Sequence, residues 1–437
     1  MSTSEGPASV GQRLLWLMEH YRGTGDGSFN EALVWRLRGA LRVADLERAC
    51  AQLFRRQEAL RTTLANHGRR LTQVVHEPRT VRLTAEDLRG TPDPEQALHA
   101  ALSAEVALRI DVSGWPVRLR LFRTADDVHV LCLTMHHLVT DYRSLEIVSE
   151  SLAAAYGAKP LPAPDWSYLD WVHWQGEALA GGSRGELERY WRDRLTGMRP
   201  FPLPRHAEDA GEVTVLVDEA KFDGECARDL RRLLADRSVS LIAGTLALFY
   251  AMVYAATEAD DITVASTMAN RRPEVADTVG FFENMVLLRE QVRPDEPLLE
   301  LARRTHCTVE EASAHQGLPF HLLPPSVSRG TGGVRPDEVV FNTVRMWPPS
   351  IDLGDVTAEN VLLPREHRAA RFGLRVVLMH NDEWVIIMMV YDNQVTGWVR
   401  GLSQGFERLV ECLRADPAIT VRELGERWHF RHPIMEV

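Results

Sequence analysis

An α/β fold is predicted, on three observations. Helical and strand patterns alternate along the chain, no short internal repeat breaks the alternation, and 437 residues at 45% hydrophobic content supply more than one sizeable core. Two or three domains of ordinary size fit this length.

The elements follow in order. Within 44–64, Leu46, Ala49, Cys50, Leu53 and Phe54 recur at three-to-four spacing, the stripe of an amphipathic helix. The chain then leads through Leu60 and Leu64 to residues 69–77, which read as a strand. Val117 to Arg123 and Val128 to His136 read as two strands joined by a turn at Ala125, Asp126 and Asp127. Leu145, Val148, Leu152 and Tyr156 share one face of a following helix, with Ser144 as its expected N-cap. Residues 137–143 therefore occupy a strand-to-helix junction, where α/β proteins commonly place their chemistry. Pro and Gly punctuation at 157–166 and 195–212 divides the chain, and two lobes are expected, 1–185 and 186–437.

Downstream, the uncharged run from Leu241 to Ala256 reads as a buried core helix, short of the roughly 20 residues that cross a bilayer. Residues 261–267 read as a strand, 328–338 as a Gly-rich loop, 371–380 and 383–392 as strands, and 399–417 as a closing helix. Disorder is expected only at the N-terminus and in the loop at 328–338.

Composition excludes several classes of function. A formal net charge of −11, from 61 acidic against 50 basic residues, lacks the basic stripe a nucleic-acid binder needs. The five cysteines, Cys50, Cys132, Cys226, Cys307 and Cys412, form no CxxC pair and read as reduced thiols. The first thirty residues lack the pattern of a secretory signal. A cytoplasmic location with no membrane contact is expected.

The stretch LTMHHLVTDYRS, residues 133–144, carries the strongest chemical signal. Adjacent side chains of a strand face opposite ways, so at most one of His136 and His137 enters a given cleft, and periodicity alone does not choose. An imidazole titrates near neutral pH and serves as a base when a second group fixes its tautomer and ring plane. Asp141 offers that order, either by bonding the imidazole or by pairing with an arginine that holds the loop. In the bland alternative, the two histidines merely cap backbone groups. A metal site is not expected, because the histidines diverge and no further ligand lies at suitable spacing. Nor is a serine hydrolase, for want of a nucleophile elbow. The SRGTGG loop lacks the Lys and Ser/Thr that end a phosphate-binding loop.

Residues 133–144 resemble the HHxxxDG signature of the condensation-domain superfamily of nonribosomal peptide synthetases, related in fold to chloramphenicol acetyltransferase. Further segments are similar in the family's order: 8–20 to the first motif, 55–64 to the second, and 167–175 to the fourth, with 189–198 after it. Residues 268–289 resemble the fifth motif, 315–323 the sixth, and 390–417 the family's ending. The resemblance implies two chloramphenicol acetyltransferase-like lobes arranged as a V around a central channel. It implies His137 as the catalytic residue. His136 and Asp141 would be structural supports, and Asp141 would pair with an arginine of the ANRRPE segment, Arg271 rather than Arg272. Tyr142, Glu283, Asn284 and Met285 would line the substrate channel.

The activity implied is that of a free-standing enzyme joining a carrier-protein-bound acyl or aminoacyl thioester to an amine acceptor in natural-product biosynthesis. The chain would bind no cofactor of its own, since the phosphopantetheine arm belongs to the acyl or peptidyl carrier protein. Two alternatives are an ester-forming acyltransferase of the same superfamily and an inactive condensation-like domain that recruits a carrier protein or tailoring enzyme. Five positions depart from the pattern: Tyr142 replaces the motif glycine, Glu283 and Met285 stand where Val and Thr are usual, and Gly317 replaces an expected Asp. Gly373 replaces a second Asp before the late strands.

Overall fold

The computed structural model describes residues 4–22, 27–68, 70–203, 214–328, 334–345, 350–361 and 372–428. Of the expected disorder, residues 1–3 at the extreme N-terminus and residues 329–333 of the loop at 328–338 lie outside them. The chain begins β1 (Ser4–Pro7), α1 (Val10–Arg22), β2 (Asn30–Gly39), α2 (Val43–Arg56), β3 (Thr62–His67), β4 (Arg70–Val75), β5 (Ala85–Asp87), α3 (Pro94–Ala107), β6 (Val117–Ala125), β7 (Val128–His136), α4 (Tyr142–Tyr156) and α5 (Tyr168–Ala180). It continues α6 (Ser183–Leu195), β8 (Val215–Asp223), α7 (Gly224–Ala235), α8 (Leu241–Thr257), β9 (Asp261–Met268), β10 (Asn284–Gln291), α9 (Leu298–Ala314), α10 (Pro325–Ser328), β11 (Val339–Arg345), β12 (Ser350–Asp352), β13 (Val356–Asn360), β14 (Leu374–His380), β15 (Trp384–Asp392), α11 (Thr396–Ala415) and α12 (Val421–Trp428).

Two compact units result. The first gathers Met1–Gly181, Arg271–Glu283 and Trp347–Arg368; the second gathers Gly182–Asn270, Asn284–Met346 and Ala369–Val437. The expected lobes, 1–185 and 186–437, therefore need correction. The chain divides at Gly181, and most of the ANRRPE and GFFENM segments belongs with the first unit. The reason is local bonding: Arg271 pairs with Asp141, Gly280 bonds Ser144, and β13 pairs antiparallel with β2.

In the first unit a six-stranded sheet runs β12-β13-β2-β7-β6-β5, beside a small sheet β1-β4-β3. The predicted hairpin is present as β6 and β7, with an irregularity between Arg123 and Ala125. Both faces of β7 are covered. Leu131, Leu133 and Met135 join the core formed with α2 and α4, while Val130 and Cys132 pack with Leu98 and Leu102 of α3. A strand buried on both sides reads as a continuous apolar run, so alternation could not identify one inward face.

The helix expected over 44–64 ends at Arg56. A single 3-10 turn, Glu58–Arg61, follows, and the next residues extend into β3. In the second unit the sheet order is β10-β9-β11-β14-β15-β8. Helix α8 is buried on every side from Ala243 to Val253 and packs against α9 and α12. Among the described residues, no helix is long and apolar enough to cross a membrane.

Candidate active site

The two histidines occupy different local structures. His136 is the last residue of β7, whereas His137 opens a 3-10 turn, His137–Val139, whose first amide bonds the Phe29 carbonyl at 2.8 Å. Strand alternation thus governs His136 and stops before His137. His136 is 1% exposed and His137 is half-buried.

Their ring nitrogens meet opposite partners. His137 Nδ1 lies 2.8 Å from the Thr140 carbonyl oxygen. A carbonyl can only accept, so Nδ1 carries the proton and the neutral ring holds its lone pair at Nε2. The Phe281 ring meets this imidazole edge-on, with centroids 5.0 Å apart. His136 Nδ1 instead accepts the Leu138 N–H at 3.0 Å, which places its proton on Nε2, facing Glu19 Oε2 across 3.3 Å. Burial alone would raise the Glu19 pKa, but His136 and Arg109 outweigh it and hold the carboxyl below its ordinary value.

Asp141 orders the junction by bonding backbone amides and an arginine. Its Oδ1 accepts the Ser144 N–H at 2.8 Å and Arg271 Nη2 at 2.7 Å; its Oδ2 accepts the Phe282 N–H at 3.1 Å. Asp141 is therefore the N-cap of α4, the position expected for Ser144. Ser144 sits one turn inside, its hydroxyl donating to the Gly280 carbonyl while accepting from the Gly280 N–H and Arg271. Arg271 also donates to the carbonyls of Val275 and Thr278 and lies 4.1 Å from the Phe282 ring centroid. Arg272 pairs with Glu274 instead.

A family model described as the condensation domain matches residues 3–425. The chain belongs to the condensation-domain family. This condensation domain is 29% identical over 96% of its length to a linear gramicidin synthase of Brevibacillus parabrevis, of which it spans 8%. Among solved structures it resembles the X-domain from teicoplanin biosynthesis, with a TM-score of 0.82 at 22% identity over 95% of this chain and 96% of that one. The starter condensation domain of rhizomide synthetase, solved in complex with C8-CoA, gives a TM-score of 0.81 at 18% identity over 96% and 97%. These likenesses carry the fold, a mixed α/β architecture of the chloramphenicol acetyltransferase type.

Two positions where this condensation domain departs from the family pattern lie together: the Tyr142 N–H donates to Glu283 Oε1 at 3.4 Å, a long bond. Tyr142 opens α4 half-buried, and burial, then Glu146, pushes its phenol above the ordinary range, so the hydroxyl stays protonated. Asn284 and Met285 belong to the second unit, where the buried Asn284 amide donates to the Gln316 carbonyl and Met285 is half-buried.

Sequence reasoning misses three side chains of the site. Gln12 and Glu19 lie seven apart on α1, a two-turn spacing that is a readable signal, and the sequence presents Ser144 only as a cap. It also passes over Gly181-Gly-Ser-Arg-Gly185, which matches the GxSxG spacing of a nucleophile elbow. That stretch joins α5 to α6, with Ser183 exposed, rather than following a strand as an elbow must. Among the described residues, no cluster of three His, Cys, Asp or Glu is placed to hold a metal ion.

Proposed function

We propose that this chain transfers an acyl or aminoacyl group from the phosphopantetheine thioester of a carrier protein to an amine, forming an amide. The observation that carries the reading is the His137 ring: half-buried, tied at Nδ1 to the Thr140 carbonyl, and therefore basic at Nε2. In the proposed step the amine nitrogen attacks the thioester carbonyl and a tetrahedral oxyanion forms. The nitrogen's proton passes to His137 Nε2; the C–S bond breaks, and that proton goes to the departing pantetheine sulfur. A positioned base contributes about 10²- to 10⁴-fold, and holding both reactants together supplies much of the remainder. Asp141 and Arg271 act as supports, fixing the start of α4 and the segment after it. The phosphopantetheine arm arrives with the carrier, and the chain's own contribution is proton handling and placement.

A second reading has one observation behind it. Tyr142 fills the position of the motif glycine beside the histidine turn, where a large ring suits a site that binds a carrier or tailoring enzyme without turning over. One assay separates the outcomes. The protein is incubated with an acyl-loaded carrier protein and a panel of amines and alcohols, and thioester loss is followed by mass spectrometry. Amide formation supports the first reading, ester formation assigns the alternative acyl transfer, and tight binding without turnover supports recruitment. In the first case His137→Ala abolishes product while circular dichroism stays unchanged. Near-normal turnover of that variant would remove the imidazole from the mechanism.

A further inference from the structure

We propose that Glu19 is a positioning residue for His137, acting with Gln12 from the same face of α1 by fixing the tautomer of His136 and thereby the peptide units that follow. Its catalytic consequence rests on the acyl-transfer reading; the tautomer itself does not.

Gln12 is fully buried and Glu19 is 5% exposed. The Gln12 side-chain oxygen accepts the Ser9 N–H at 2.9 Å, which leaves its amide nitrogen to donate to the Leu138 carbonyl at 3.1 Å. The Leu138 N–H donates to His136 Nδ1. Both backbone groups of the residue immediately after His137 are thus held by side chains, at a point where neither strand nor α-helix supplies partners.

Only an unprotonated Nδ1 can accept the Leu138 N–H, so the arrangement requires the Nε2–H form of His136. Glu19 selects that form, because a carboxylate 3.3 Å from Nε2 attracts a proton there and repels a lone pair. Arg109 Nε, 3.0 Å from Glu19 Oε1, holds the carboxylate in place from the other side and helps keep it ionised. The opposite tautomer would set an N–H against the Leu138 N–H and leave that buried donor without its acceptor. The turn would then relax, and with it the distance between His137 Nδ1 and the Thr140 carbonyl that places the lone pair at Nε2.

The test uses the full chain labelled with ¹⁵N-histidine, with the His137 resonances assigned by their loss in His137→Ala and those of His136 by their loss in His136→Gln. Near neutral pH the unsubstituted protein should show His136 as the Nε2–H form and His137 as the Nδ1–H form. Glu19→Leu should give a mixture of forms at His136. Acyl transfer, measured with the carrier and amine above, should lose kcat by roughly 10- to 100-fold, the order that misplacement of a reacting group brings, with KM unchanged. Glu19→Gln, which keeps an acceptor oxygen and the side chain's size, should retain the tautomer and recover most of the rate. It also serves as the reference should the leucine variant fold poorly. A doubly protonated or Nδ1–H His136 in the unsubstituted protein overturns the proposal, as does a Glu19→Leu protein that folds and keeps its tautomer. If no turnover is seen in any protein, the acyl-transfer reading fails while the two tautomers still decide this one.

Discussion

Two neighbouring imidazoles with the same covalent chemistry are driven to opposite proton placements by what each Nδ1 meets, an N–H for His136 and a carbonyl for His137. The pattern of residue types was legible in the sequence; this distinction was not, because both deciding partners are backbone groups. Asp141 could be read as an ordering residue, but its arginine became visible only through family resemblance, 130 residues away along the chain. That pair is nearly dry, with side-chain exposures of 2% for Asp141 and 9% for Arg271. Removing one partner of such a pair costs about 3–5 kcal/mol, so Asp141→Ala should lower unfolding stability by that order in urea titrations. Asp141→Asn, which still caps α4, should cost less. His321 provides a pH signature in the second unit. Burial, reinforced by Arg335 and opposed only by Asp337, brings its pKa down from 6.5 to about 4. Above the unfolded value of 6.5 both states are neutral there, so its contribution is fully present. As pH falls from 6.5 towards 4, the unfolded chain takes up a proton that the folded chain refuses, and stability drops. His321→Gln should flatten the acid limb of a plot of melting temperature against pH over that window.

The start of α4 is built from three stretches of chain: Asp141 caps it, Arg271 and Gly280 bond to Ser144, and the Phe282 N–H closes on Asp141. Gly280 fits because the Tyr168 ring lies where a Cβ would go. Tyr168 is itself fixed, its hydroxyl 2.7 Å from the Phe281 carbonyl and its ring against Phe282. Overpacking a tight core costs about 1–3 kcal/mol, so Gly280→Ala should lower the melting temperature and, by shifting the segment that carries Phe281, slow turnover as well. Elements with strong local pattern were legible: the β6–β7 hairpin, α8 and the late strands β14 and β15 lie close to where their sequences placed them. Strand β2 was missed although Leu33, Trp35 and Leu37 alternate with Val34, Arg36 and Arg38. Glu31 and Ala32 at its start carry little strand preference, and pairing with Met135 and Thr134 of β7 overrides them.

Connectivity across the chain was the least legible feature, because no local pattern announces that residues far apart in sequence share one core. The Pro and Gly punctuation at 157–166 and 195–212 lies to either side of the division at Gly181, and it did not show that Arg271–Glu283 and Trp347–Arg368 return to the first unit. A 1–185 fragment would lack the arginine of Asp141, the Gly280 partner of Ser144 and the β13 edge of the sheet. It should therefore show no cooperative thermal transition, in contrast to the full chain; a sharp melt by circular dichroism would show the first 185 residues to be self-sufficient.

For anyone recombining proteins of this family, the three-part first unit sets a rule. A chimera spliced at a single crossover between Asp141 and Arg271 joins one parent's aspartate to the other parent's arginine and one parent's β2 to a foreign β13. Grafts that carry Met1–Gly181, Arg271–Glu283 and Trp347–Arg368 together keep these inherited pairings intact.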